Sequence, residues 1–146
     1  MSTYTPDSSV TLDRQMGFAI LRFVLGLNML GRSLMRLPEI SEFASGMAEG
    51  FADTFLPGPF VYAFGFVIVL TELVIGVLLI LGWKTRWALL TMGILLASLT
   101  FGQLVQQSYG SVANILIYVI AVAFLLFNTR YDNFGIDRGF SVKRKR

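Results

Sequence analysis

The chain has 146 residues, 55% hydrophobic and 14% charged, with a net charge of +3 and a mean hydropathy of +0.67. A soluble domain of this size buries only about two-thirds of the surface its unfolded chain exposes, too little to hide so much apolar side chain, so the solvent that fits is a bilayer. With no Cys and no His, disulfides, thiol chemistry and the usual zinc, haem and iron–sulfur ligands are excluded; no metal site is expected, and any electron carrier must be diffusible or sit on a partner.

Residues 1–15, "MSTYTPDSSVTLDRQ", are polar and lack the basic start of a signal peptide. They read as a cytoplasmic segment before a retained first span. A helix needs about 20 mostly apolar residues to cross hydrocarbon, and four stretches qualify, at about 16–37, 60–82, 87–106 and 112–128. Lipid cannot satisfy open backbone groups, and the runs do not alternate as barrel strands do. The expected fold is an all-α integral membrane protein, four transmembrane helices in an up-down bundle occupying residues 16–130, followed by a basic tail over 131–146.

The segment between the first two spans, "PEISEFASGMAEGFADTFLPGP", has Ile40, Phe43, Met47, Phe51 and Phe55 at helical spacing, with Glu42, Glu49 and Asp53 off that stripe. Pro38 suits a helix start and Pro57-Gly58-Pro59 a stop. This predicts an amphipathic interfacial helix; an irregular acidic loop is the alternative. An even number of spans puts Arg14, Lys84, Arg86, Arg130, Arg138, Lys143, Arg144, Lys145 and Arg146 on one side, against Arg32 and Arg36 on the other. The positive-inside rule then predicts a multi-pass protein of the inner (plasma) membrane with both termini in the cytoplasm. The ending "SVKRKR" reads as a topology anchor touching anionic lipid. One short basic run is not a nucleic-acid surface.

Glu72 stands alone in apolar sequence, its nearest charges along the chain being Asp53 and Lys84. The first span contains Arg22. Isolated charges at mid-membrane are expensive and are remedied by pairing inside a bundle. Arg22 shares a face with Gly26, and Glu72 with Gly65 and Gly76; small residues let backbones approach. The expectation is a buried Arg22–Glu72 ion pair locking the first two spans, with proton exchange at Glu72 as the functional alternative. Polar stripes recur farther out: Asn28, Arg32 and Arg36 on the first span, Thr100, Gln103 and Gln107 on the third, Asn114 and Tyr118 on the fourth. Facing inward, they would line a cationic pocket suited to a quinone carbonyl, a small anion or a lipid phosphate. Alternatively, Arg32 and Arg36 reach headgroups and pair with Glu39 or Glu42 while the amides cap helix ends. Gly93 with Ala97 and Ser98 with Gly102 are small-residue pairs for packing within the bundle or against a partner.

"LRFVLGL" opening the first span, "RSLMRL" closing it, "ELVIGVLLILGWKTRWALL" around the second, and the ending "NTRYDNFGIDR" resemble the DoxX family of small four-helix membrane proteins over roughly residues 16–138. The strongest pieces are Arg22 with Gly26, and Glu72, Gly76, Gly82, Thr85 and Arg86; Ser33 and Arg36 stand where many members have Gly then Lys. The resemblance implies a small membrane subunit of a quinone-linked redox or respiratory complex, without its own redox centre and with no catalytic residue. Its partners would be the bilayer and a larger membrane redox complex or further copies of itself, and its cofactor a non-covalently bound quinone. A non-catalytic assembly protein and a small anion transporter or channel are the alternatives.

Overall fold

The computed structural model describes residues 8–136. These residues form five α-helices and no strand: α1 Ser8–Arg36, α2 Ile40–Gly50, α3 Gly58–Leu81, α4 Thr85–Val105 and α5 Tyr109–Phe127. Helices α1, α3, α4 and α5 are long and apolar enough to cross a membrane, the expected fold class. The first helix starts within residues 1–15, the segment expected to be a polar cytoplasmic stretch before the first span.

Local chemistry sets the breaks. Pro38 has no N–H to donate and restricts the residue before it, and the chain passes through a 3₁₀ turn over Leu37–Glu39 before α2 resumes. Pro57 and Pro59 open α3, where the first N–H groups need no helical partner. Gly82 closes α3 at φ +64°, the left-handed conformation that costs a glycine nothing.

The third helix is the axis of the fold. It is apolar all round, as a helix enclosed by protein and lipid should be, and it packs against α1, α2 and α4. Its buried positions include Val61, Gly65, Ile68, Val69, Glu72, Ile75, Gly76 and Leu79. A Cβ on Gly76 would lie 2.6 Å from the Leu30 backbone nitrogen, and one on Gly26 3.0 Å from that of Ile80. These glycines therefore sit where the α1 and α3 backbones nearly touch, as their spacing predicts. Gly26 meets Leu79 and Ile80, Gly76 meets Leu30, and the Ser33 hydroxyl donates to the Val69 carbonyl at 2.9 Å. The partners run in opposite order, so the two helices are antiparallel and in a defined register.

Beyond the 3₁₀ turn, α2 continues along α3 toward its start: a Cβ on Gly65 would lie 2.9 Å from Ala44 Cα, and Phe51 reaches Gly102 of α4. Gly93 has nothing within 4 Å of an added Cβ, so it makes no close helix contact. Ala97 is exposed, and Ser98 turns its hydroxyl back to the Ile94 carbonyl at 3.0 Å. The fourth long helix, α5, packs mainly on α4 and only lightly on α1, leaving Ile117, Ile120, Phe124 and Phe127 outward.

Candidate functional site

Among the described residues, two charged clusters lie inside the protein, and neither is the expected pair. Arg22, at 4% exposure, binds Asp132 through Nη1–Oδ1 at 2.7 Å. Its guanidinium rests where a Cβ on Gly82 or Gly135 would intrude, so two glycines create its seat. Glu72, fully buried, meets Arg32 Nη2 at 3.3 Å through Oε1 and Arg36 Nη1 at 3.2 Å through Oε2. The expected Arg22–Glu72 contact fails on register. Arg22 lies level with Gly82, ten residues or roughly 15 Å along α3 from Glu72 at 1.5 Å per residue, which is beyond the reach of an arginine. The residue of α1 opposite Glu72 is instead Ser33, flanked by Arg32 and Arg36.

Burying a carboxylate costs several kcal/mol, which is recovered only with close opposite charge and good hydrogen bonds. Arg36 supplies both charge and a hydrogen bond. Arg32 supplies charge alone, for Glu72 Oε1 makes no hydrogen bond of good geometry. The Arg36 guanidinium also lies 4.5 Å from the centroid of Phe43, a cation–π contact that holds it against α2. The expectation that Arg32 and Arg36 pair with Glu39 or Glu42 is not what forms: both go to Glu72, with α1 supplying them one turn apart.

The two arginines are partly open, at 35% and 29% side-chain exposure, and what they open into is a cavity. A space of about 450 Å³ is walled by Arg32 and Arg36, by Glu42 and Phe43 of α2, by Gln103 of α4 and by Gln106 just after it. It shares Met47, Ile68, Leu99, Gln103 and Gln106 with an adjoining chamber of about 550 Å³. Phe51, Phe60, Phe64 and Phe101 make that second space strongly apolar. Together they form one compartment between α2 and α4, floored by α3, with an aromatic body and a head of arginine and glutamine.

Of the expected pocket residues, Arg32, Arg36 and Gln103 converge on this compartment. Asn28 shares the arginines' stripe but lies outside its walls, and its buried Oδ1 has no hydrogen-bond partner among the described residues. Asn114 faces outward on α5, and Tyr118 packs at the edge of the core; α5 is too far round the bundle to reach a space between α2 and α4. Gln106 was absent from the expected set. Its amide donates to the Gly50 carbonyl at 3.0 Å, tying α4 to the end of α2; its adjacency to the Gln103–Gln107 stripe was the available signal. Asp132 gave no such signal, since it follows the last span.

The chain matches one family model, methylamine utilisation protein MauE, over residues 14–114. The chain belongs to the MauE family. The match includes both arginines, Glu72 and every wall of the compartment, and stops before Asp132. It corrects the resemblance to DoxX, a different membrane family to which the chain has no match. The misleading signals were an early arginine, paired small residues and a carboxylate in the second span, which answer to helix packing and charge burial that any small four-helix membrane protein must solve. No curated protein and no solved structure matches the chain.

Proposed function

We propose that this MauE-family chain is an accessory membrane subunit that binds a lipophilic, carbonyl-bearing molecule of the quinone class for a redox step carried by a partner. The observation that carries this reading is the compartment's polarity. Its apolar body suits a hydrocarbon ring and tail, and its head offers donors (Arg32, Arg36 and Gln103) beside the Glu42 carboxylate. Sites of this size with a few convergent polar groups are the usual form of small-molecule pockets. Quinone, when bound, supplies two-electron, two-proton chemistry. The chain's own contribution is to exclude water with the aromatic wall, orient an acceptor oxygen with the guanidinium and amide donors, and keep a carboxylate beside them at Glu72. The family's name supports a redox setting, because oxidative cleavage of the C–N bond of methylamine releases two electrons that an acceptor must take.

The test is equilibrium binding of a short-chain benzoquinone to the purified protein in detergent. Saturable binding is expected, weakened about tenfold by Gln103→Ala, the worth of one buried hydrogen bond, and unchanged by Asn114→Ala on the outer face. No saturable binding, or equal affinity in the Gln103 variant, overturns the reading. A second reading, assembly of a larger complex, draws on Asn114: an amide exposed on a helix otherwise facing outward with Ile117, Ile120 and Phe124 is better satisfied by a partner helix than by lipid. Co-purification lost on Asn114→Leu is its expected outcome; unchanged co-purification counts against it.

A further inference from the structure

The end of the molecule where α1 starts and α5 finishes, opposite the compartment, holds a separate cavity of about 420 Å³. Arg14, Gly17 and Phe18 of α1 line it, with Phe124, Asn128 and Tyr131 from the other side. The Tyr131 ring gathers two cations. Arg14 donates to the phenol oxygen at 3.0 Å and lies 5.8 Å from the ring centroid, and Arg130 lies 4.9 Å from the same centroid. Neither arginine has a carboxylate partner among the described residues, and the neighbouring Asp132 is taken by Arg22. The Tyr131 phenol is held below its usual range, first by the Arg14 hydrogen bond, which fits an electropositive site.

The polarity is layered along the helix axes. Arg14 and Tyr131 form a rim just past the last residue of α5, Phe127, with Arg130 against the Tyr131 ring beside it, at the level where tyrosines mark the headgroup boundary. Below the rim are Phe18 and Phe124. Between them Gly17 has no side chain, and a Cβ there would meet nothing within 4 Å. Packing therefore does not demand this glycine, and its effect is to leave the space open.

We propose that this cavity binds one anionic phospholipid, with its phosphodiester between Arg14 and Arg130 and the first part of an acyl chain on Phe18 and Phe124. Guanidinium groups are the favoured donors to phosphate oxygens, and an unneutralised pair of them at headgroup depth attracts anionic lipid over zwitterionic lipid. The site is independent of the compartment and its ligand.

The experiment is native mass spectrometry of the full chain with phosphatidylglycerol or phosphatidylcholine of matched chains. One phosphatidylglycerol is expected to be retained with about tenfold or greater preference, given two cations near the surface. Arg14→Gln with Arg130→Gln should abolish the preference. Gly17→Leu should also abolish it without lowering the thermal midpoint, because an added Cβ there meets no neighbour and a helix interior disfavours glycine. Excess inorganic phosphate should not displace the lipid, since the acyl contact is part of the site. Equal retention of both lipids, a preference that survives the double arginine variant or Gly17→Leu, or displacement by phosphate alone overturns the proposal.

Discussion

The two buried charge clusters are built on opposite plans. At one end, Arg22 and Asp132 form a closed pair, 5% and 10% exposed and 2.7 Å apart. Near the middle of α3, one buried carboxylate is shared by two arginines that are about one-third exposed, at 3.2 and 3.3 Å. The closed pair balances one charge against one and ties the segment after α5 to α1. The open cluster sets two arginines against Glu72, and both face a compartment whose wall also carries the Glu42 carboxylate. A closed, matched pair ties elements together, whereas charges left partly open beside a cavity remain accessible.

The largest expected effect breaks the closed pair. Arg22→Ala leaves Asp132 buried without a partner and should cost about 3–5 kcal/mol, read from denaturant unfolding in micelles by circular dichroism. The double replacement Arg22→Met with Asp132→Leu should recover most of that loss, because an apolar pair of similar volume avoids the desolvation of both ions. A single variant as stable as the parent would mean the pair is not structural.

The open cluster should respond in steps. Arg32→Ala leaves Glu72 with its hydrogen bond from Arg36 and should cost only about 0–1 kcal/mol, as partly solvated pairs do. Arg32→Ala with Arg36→Ala strands the carboxylate and should cost more than the two single changes together, in the range of about 3–5 kcal/mol. Additive losses in thermal unfolding would show that the arginines do not share Glu72.

The smaller effects concern the helix contacts that set both clusters. Gly76→Val pushes into the Leu30 backbone and should destabilise by about 1–3 kcal/mol, with resistance to proteolysis falling in parallel. Gly93→Ala meets no neighbour and should be neutral or stabilising by at most about 1 kcal/mol, the helix preference of alanine over glycine. If these two glycines respond alike, the α1–α3 contact does not set the register.

Much of the architecture was legible in the chain because it is local. Whether twenty residues prefer oil, where Pro38, Pro57 and Gly82 interrupt them, and that Arg32 and Arg36 share a face are all settled within a few turns of helix. The residue set of the compartment was legible in part for the same reason: Arg32, Arg36 and Gln103 lie on polar stripes, while Asn114 lies on an equally good stripe that happens to face outward. What hydropathy and spacing could not decide was the partner of each charge. That depends on how far α1 slides along α3, which Gly26 and Gly76 set by close backbone contact, and on the chain folding back after α5 to bring Asp132 to an arginine 110 positions earlier. A shift of a few residues in that register moves a side chain by more than its own length, so ion pairing between antiparallel helices is a property of their packing and not of either helix alone.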